Sequence, residues 1–195
     1  MNFTDFSPLY DFSLIEAAVQ AFFCGVDGSI FATPPGESDP ARGTWTPPAG
    51  FVAFYTNANT TVNQACRPRV KIRLDNVNHV RGAYALDANG NMREKAWQAS
   101  MDFGVVTEPN YAIHCQLRSQ VMAIIAQGVA ISQDGAAFAT GGINQYLKMH
   151  QVSEFWIRNT STDVMPAEGA YMSLLPVQLA FNVLPSAWPV GMLTQ

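Results

Sequence analysis

The spacing of apolar residues predicts two helices in this chain. Over residues 13–24 the apolar positions recur every three or four residues, which is the helical period. Ser13 and Glu16 have the spacing of a capping box at the start of the helix, and Gly25 is expected to end it. A second stretch with this period lies at 110–128, where Gly128 is expected to end the helix. The two apolar stripes, which should pack on a sheet, consist of Ile15, Ala18, Val19, Phe22 and Phe23, and of Ile113, Leu117, Val121, Ile124 and Ile125.

Alternation of apolar and polar positions, or short apolar runs, predicts strands elsewhere. An Asn-Gly pair at 89–90 is suited to a tight hairpin between two of them. The order helix, strands, helix and closing hairpin predicts one α+β domain over residues 1–195. We expect a mainly antiparallel sheet with both helices packed on one face. In chain order the predicted strands lie at 51–56, 67–77, 95–108, 145–159 and 171–185.

Two proline-rich segments fall outside this pattern. Residues 27–50 contain five of the twelve prolines and four of the fourteen glycines, so a long loop or arm is expected there. Trp45 within it indicates an arm that docks. Residues 184–195 are expected to form an extended tail containing Trp188. Trp45 and Trp188 are candidate interface residues, and the alternative is that both cap the core of their own domain.

The composition excludes several classes of protein. Charged residues make up 13%, about half the usual share, which fits either a large core or a surface covered by partner subunits. A net charge of −4 is not that of an ordinary basic nucleic-acid-binding protein. No signal peptide and no apolar run of membrane-spanning length is present, so a soluble protein made in a cytoplasm is expected. Three widely spaced cysteines predict no disulfide framework, and these are Cys24, Cys66 and Cys115.

No motif for catalysis, nucleotide binding or metal binding is present. His79, His114 and His150 have no partner at ligand spacing, so structural or surface roles are expected, with no metal and no cofactor. Asp102 is a lone carboxylate on the polar side of its strand. A non-enzymatic protein is therefore predicted. The alternative is a small cytoplasmic ligand-binding domain or enzyme, with a pocket under the arm that uses Asp102 or His79.

One strand carries a regular row of cations. Alternation places these side chains on one face of the strand, roughly 7 Å apart, and the apolar residues between them on the other. The segment 67–81 contains five bases and one acid, whereas residues 1–66 contain six acids and one base. The row is either a solvated outer face or a contact with something negative, such as acidic segments of a neighbouring copy or nucleic-acid phosphates. This cationic row consists of Arg67, Arg69, Lys71 and Arg73, which are candidate interface residues.

The order of elements, the size and the final hairpin resemble the tail-terminator (tail-completion, or neck) proteins of long-tailed bacteriophages. The residues that carry the resemblance are DFSLIEAAVQAFF, KAWQASMDFGVV running into YAIHCQLRSQVMAIIAQ, and SEFWIRNTS with AYMSLLPVQLAFNVL. It covers roughly residues 11–24 and 95–185. Related tail-tube and head–tail joining proteins share parts of the pattern, so another protein of that kind is an alternative.

The resemblance implies a single tail-terminator-like domain that forms a non-enzymatic ring, commonly of six copies. Such a ring sits at the head-proximal end of the tail in the virion, is assembled in the host cytoplasm and ends tube polymerisation. Its partners are further copies of itself, the tail-tube protein and the head–tail connector, with DNA as passing cargo and no membrane. The cationic row would then either line an intersubunit contact with the acidic first 66 residues of a neighbour, which is the favoured use, or face the neighbouring ring. The arm at 27–50, longer than the resemblance requires, would clasp a neighbouring subunit.

Overall fold

The computed structural model describes residues 13–25, 29–36, 38–56, 66–86, 92–133, 152–157, 165–167 and 169–183. These ranges contain two α-helices, one short 3-10 helix and seven strands. Neither α-helix is long and apolar enough to cross a membrane. The elements are α1 (Ser13–Gly25), β1 (Phe31–Ala32), the 3-10 helix (Pro40–Thr44), β2 (Val52–Tyr55), β3 (Arg69–Leu86), β4 (Met92–Thr107), α2 (Tyr111–Gln133), β5 (Val152–Ile157), β6 (Met165–Ala167) and β7 (Ala170–Val183).

The seven strands form one mixed sheet in the order β1-β2-β3-β4-β7-β5, and β6 also pairs with β7. All pairs from β3 onward are antiparallel, as predicted. The parallel edge was not predicted: Phe31 of β1 lies opposite Val52 of β2, and Ala53 lies opposite Arg69 of β3. The two short strands β1 and β2 therefore extend an otherwise antiparallel sheet.

Both helices pack on the same face of this sheet, which we call the inner face. Their apolar stripes and the inward-pointing residues of the strands form one hydrophobic core. The prediction is wrong for Ile113, which lies in the first turn of α2 and is 49% exposed. This confirms the prediction of a single α+β domain with two helices on one face. The core residues with at most 4% exposure include Ile15, Val19 and Phe23 of α1, Leu117, Val121 and Ile125 of α2, Val70 and Ile72 of β3, Ala99, Met101, Phe103 and Val105 of β4, and Leu175, Val177 and Leu179 of β7.

Four phenylalanines join α1 to three strands at the centre of this core. The ring of Phe23 lies 5.0 Å from that of Phe54, 5.4 Å from that of Phe103 and 5.6 Å from that of Phe31, measured between centroids. Such distances are typical of favourable aromatic pairs. The cluster therefore connects the short parallel edge of the sheet to its long central strand.

Polar side chains of α1 fix the helix to the backbone of the sheet. Oε1 of Glu16, which is 6% exposed, accepts a hydrogen bond of 2.7 Å from the backbone N–H of Leu74. Nε2 of Gln20 donates a bond of the same length to the carbonyl oxygen of Phe54. The pairing of β2 with β3 ends at Tyr55 and Lys71. Glu16 thus satisfies a backbone donor of β3 beyond the end of β2, where an unpaired buried amide would be costly.

Several predicted boundaries differ from the structure. The prediction that Gly128 ends the second helix is wrong, because α2 continues to Gln133. A glycine inside a helix costs only about 1 kcal/mol relative to alanine, and the apolar residues after it continue the helix. The strand β3 runs to Leu86, well past residue 77, through an irregularity at Asn76, whose φ of 48° is left-handed.

The predicted turn and the C-terminal tail lie outside the described residues. The hairpin itself is confirmed, since Leu86 lies opposite Met92 in the antiparallel pairing of β3 and β4. The segment 27–50 contains β1 and the 3-10 helix, and its role as an arm stays a prediction.

Replacing Phe103 by alanine should lower the free energy of unfolding by about 3–5 kcal/mol, because the side chain is fully buried among other rings. Denaturation in urea, followed by circular dichroism, measures this change. The control is Phe51→Ala, a residue 41% exposed, which should cost under about 1 kcal/mol. Equal losses in the two variants would contradict the central position of Phe103.

Candidate functional site

The cationic row lies on the outer face of the sheet, opposite the helices. Arg69, Lys71 and Arg73 belong to β3, and their alternation with the fully buried Val70 and Ile72 sets them on the outer side. The fourth member, Arg67, precedes the strand by two residues. The sequence pattern therefore predicted the direction of the row.

The two ends of the row are compensated by acids of the same chain. Nη1 of Arg67 donates to the carbonyl oxygen of Gly169 and lies 3.9 Å from Oε2 of Glu108. Nη2 of Arg73 lies 2.8 Å from Oδ2 of Asp75 and 3.8 Å from Oδ2 of Asp102. Part of the positive charge that the sequence displays is therefore neutralised locally.

The centre of the row is not compensated in this way. In the described part of the chain, the ammonium group of Lys71 has neither a hydrogen bond nor an ion pair. Arg69 is half-buried beside Tyr55 and Cys66. Burial lowers the pKa of the Arg69 guanidinium from its ordinary value, and the charge of Arg67 acts in the same direction. Because neither Lys71 nor Arg69 has an acidic partner among the described residues, a negative group placed near them would be stabilised by both cations.

Lys71 borders an open depression of about 270 Å³ on the outer face. Gly104 forms its floor, because it lies between Lys71 of β3 and Leu174 of β7 in the sheet register. A Cβ atom at Gly104 would lie 3.6 Å from the carbonyl oxygen of Lys71, an ordinary contact, so larger residues fit the backbone there. Arg73 and Asp102 complete the lining.

Apolar side chains lie beside this depression. Leu174 is 50% exposed and Met172, two residues earlier on the same side of β7, is 38% exposed. Leu174 and Met172 thus form a small exposed apolar area next to the cation of Lys71. The area around Lys71, Gly104, Met172 and Leu174 is hereafter called the open patch.

The predicted interface residue Trp45 covers another part of the outer face. Its ring lies 6.3 Å from that of Tyr55, edge to face, and its carbonyl oxygen accepts a 3.5 Å hydrogen bond from Sγ of Cys66. Burial raises the pKa of the Tyr55 hydroxyl, and Cys66 adds to this, so the phenol stays neutral. Trp45 thus packs on its own domain, as the alternative reading has it, and its interface role stays a prediction. Trp188 lies outside the described residues.

The residues of the alternative pocket are not brought together. Asp102 lies in the depression, where burial raises the pKa of its carboxyl, Arg73 opposes that change and Asp75 adds to it. His79 pairs with Trp97, five residues along β4 from Asp102, which corresponds to roughly 17 Å. The backbone positions of these two alternatives therefore lie apart on the sheet, and the pocket under the arm that uses one or the other stays a prediction.

One buried polar cluster was not predicted from the sequence. Nδ1 of His114 on α2 lies 3.1 Å from Oγ1 of Thr107, and its Nε2 lies 2.6 Å from Oγ of Ser173. The arrangement has the geometry of an activated hydroxyl, yet all three residues are at most 1% exposed, so no substrate reaches Ser173. The cluster ties α2 to β4 and β7. Its one sequence signal was three polar residues at inward-facing positions.

The described residues contain no group of three or more His, Cys, Asp or Glu side chains that could hold a metal ion. The three cysteines are free and half-buried, and burial raises the pKa of the Cys24 thiol to about 12. Such a thiol is unreactive at neutral pH.

The sequence matches no protein-family model and no curated protein. A functional assignment therefore depends on the fold, the open patch and the resemblance in the order of elements.

The stability of the domain should decrease as the pH falls through about 6.5. Burial, assisted by the charge of Arg118, lowers the pKa of His114 below its ordinary value of 6.5. On acidification the unfolded chain takes up this proton first, so the stabilisation is complete above pH 6.5 and is lost down to the folded-state pKa. Urea denaturation between pH 7.5 and 5.5 measures the slope.

The control for this slope is His114→Gln, which retains the other titrating groups and lacks the buried imidazole. We expect a smaller pH dependence in the variant. An identical slope in the two proteins would show that His114 does not cause it.

Proposed function

We propose that this protein is a structural virion protein that forms a ring, of about six copies, at the head-proximal end of a phage tail. The ring ends polymerisation of the tail tube and joins the tail to the head–tail connector. The proposal starts from the resemblance described above. It is supported by the single α+β domain, in which a first helix, a hairpin, a second helix and a closing hairpin follow in the implied order.

The open patch is the observation that carries the proposal. The helices cover the inner face, whereas the outer face presents Leu174 and Met172 to solvent beside the uncompensated charge of Lys71. Contact with a neighbouring subunit would remove the apolar area from water and supply a partner for the cation. The low charged fraction of 13% is in keeping with a surface that is largely covered on assembly.

The distribution of charge supports a ring over a symmetric dimer. Residues 1–66 contain an excess of acids and residues 67–81 an excess of bases; among the described residues, the exposed Asp39 belongs to the first group and the cationic row to the second. Unlike surfaces associate head to tail, and such contacts close into rings when the rotation allows it. The compensation of Arg67 and Arg73 by their own chain leaves few cations for phosphates, so DNA is proposed only as passing cargo.

Two alternatives remain distinct. Another tail-tube or head–tail joining protein would also form rings, and would differ in the structure to which the ring attaches. A small ligand-binding domain or enzyme is favoured by one observation, the depression that contains Asp102. That class would be monomeric and would depend on Asp102 or His79.

Light scattering after size exclusion should give a particle of about six times the chain mass of 21.3 kDa. Negative-stain images of the same fractions should show a central hole. Reversing the charge at the centre of the row, Arg69→Glu with Lys71→Glu, should prevent assembly, because the patch would then repel acidic neighbours. A wild-type chain that stays monomeric at all concentrations, even with tail-tube ends added, would contradict the proposal.

A matched pair of variants distinguishes the effect of charge in the open patch from the effect of the net charge of the chain. Arg69→Gln with Lys71→Gln and Gln116→Glu with Gln120→Glu each lower the net charge by about two, and both glutamines are exposed on α2, away from the open patch. Only the first pair should weaken assembly. Equal effects would indicate that overall charge, and not the patch, governs it.

Asp102→Ala tests the ligand-binding alternative. The change should leave ring formation intact and alter the free energy of unfolding by at most about 1 kcal/mol, because Arg73 keeps its closer partner Asp75. Light scattering and urea denaturation of the variant measure both. Loss of assembly with unchanged stability would assign Asp102 to the contact or to a bound ligand.

A further inference from the structure

Among the described side chains, most acids already have a cation nearby. Asp75, Asp102 and Glu108 each lie within 4.0 Å of an arginine, whereas the exposed carboxylate of Asp39 contacts no cation. Among the cations, the ammonium group of Lys71 has no ionic partner in the same described ranges. An unpaired acid and an unpaired base thus occur in one chain, at positions that do not touch each other.

The segment around Asp39 presents this carboxylate in a fixed position. Oδ1 of Asp39 accepts a 2.8 Å hydrogen bond from the backbone N–H of Ala41. The backbone of Asp39 is held as well, since its N–H donates to Gly36 and its carbonyl oxygen accepts from Arg42, each at 3.1 Å. The buried Arg42 anchors the turn by donating to the carbonyl oxygen of Pro35. The carboxylate is therefore preorganised for binding, which reduces the entropy lost on contact.

The depression in the open patch suits such a group. Its cation, Lys71, lies beside Gly104, which has no side chain to fill the depression. The exposed Leu174 lines one side and could pack against Pro40, the proline that follows Asp39 in an incoming segment. The other charges of the depression, Arg73 and Asp102, already lie 3.8 Å apart. The site therefore has room for one short acidic side chain and one charge to pair with it.

We propose that Asp39 of one copy enters the depression of a second copy and pairs with Lys71 there. The inference rests on the proposed function, because the contact joins unlike surfaces and is the repeating contact of the ring. The pair is charge-complementary, and burial of Pro40 and Leu174 around it excludes water from the ion pair. Residues 38–41 are thereby assigned as the part of the 27–50 arm that contacts the neighbour.

A charge exchange tests the pair. Asp39→Lys and Lys71→Asp should each weaken association by about tenfold or more, because each places like charges together. The double variant should recover the wild-type association constant to within about threefold, since the pair is restored in the reverse sense. Sedimentation and light scattering over a dilution series measure the constants. Gly104→Val, which fills the depression without changing charge, should weaken association as well.

Controls on α2 match the charge changes. Gln116→Lys with Gln120→Lys corresponds to Asp39→Lys, and Gln116→Glu with Gln120→Glu corresponds to Lys71→Asp. Both should associate as the wild type does. Urea denaturation of every variant shows whether the domain is folded.

The outcomes separate this inference from the proposed function. If the wild type forms rings and Asp39→Lys forms them equally well, Asp39 is not the occupant and the inference falls while the function stands. Single variants that weaken association without recovery in the double variant also overturn the pair. A wild-type chain that never associates overturns both proposals.

Discussion

The register between β3 and β4 is the constraint on which the other features depend. Val70 lies opposite Val105, Lys71 opposite Gly104 and Ile72 opposite Phe103, so apolar pairs alternate with outward-facing pairs. A slip of one residue would bring the cations of β3 into the core and expose its aliphatic residues. Burying an unpaired cation costs far more than a hydrophobic contact returns, so the register is strongly specified. The pairing that builds the core therefore also displays the row.

The inner face is held by two kinds of interaction. Hydrophobic burial provides most of the stabilisation but has no direction, so it does not by itself fix where a helix lies. Direction comes from buried hydrogen bonds: Glu16 accepts one from the backbone of β3, and His114 is bonded to Thr107 and Ser173. Each helix is thus positioned by a polar group at the edge of an apolar stripe. With both helices fixed on this side, the outer face remains for other contacts.

Features with a local period could be predicted from the sequence, and features that depend on distant partners could not. The alternation in β3, β4 and β7 and the start of α1 followed directly from the pattern of side chains. The strand β1 has two residues inside a proline-rich segment, which is too short for any period to show. The partners of the row, such as Glu108 beside Arg67, depend on the three-dimensional register of the strands. The bonds of His114 likewise join residues up to 59 positions apart.

The ion pairs within the chain also determine which kind of negative partner the cationic row can bind. In an extended strand four cations would suit a polyanion such as DNA, whose phosphates are spaced along a line and bind through many similar contacts. Here Arg67 and Arg73 are engaged by their own chain, and Lys71 is left beside exposed apolar residues. Two adjacent cations, Arg69 and Lys71, with an apolar border fit a localised acidic partner, since burial of the border strengthens the ion pairs. This distribution of charge is consistent with the proposed contact between subunits, in which a localised acidic group is the partner of the row.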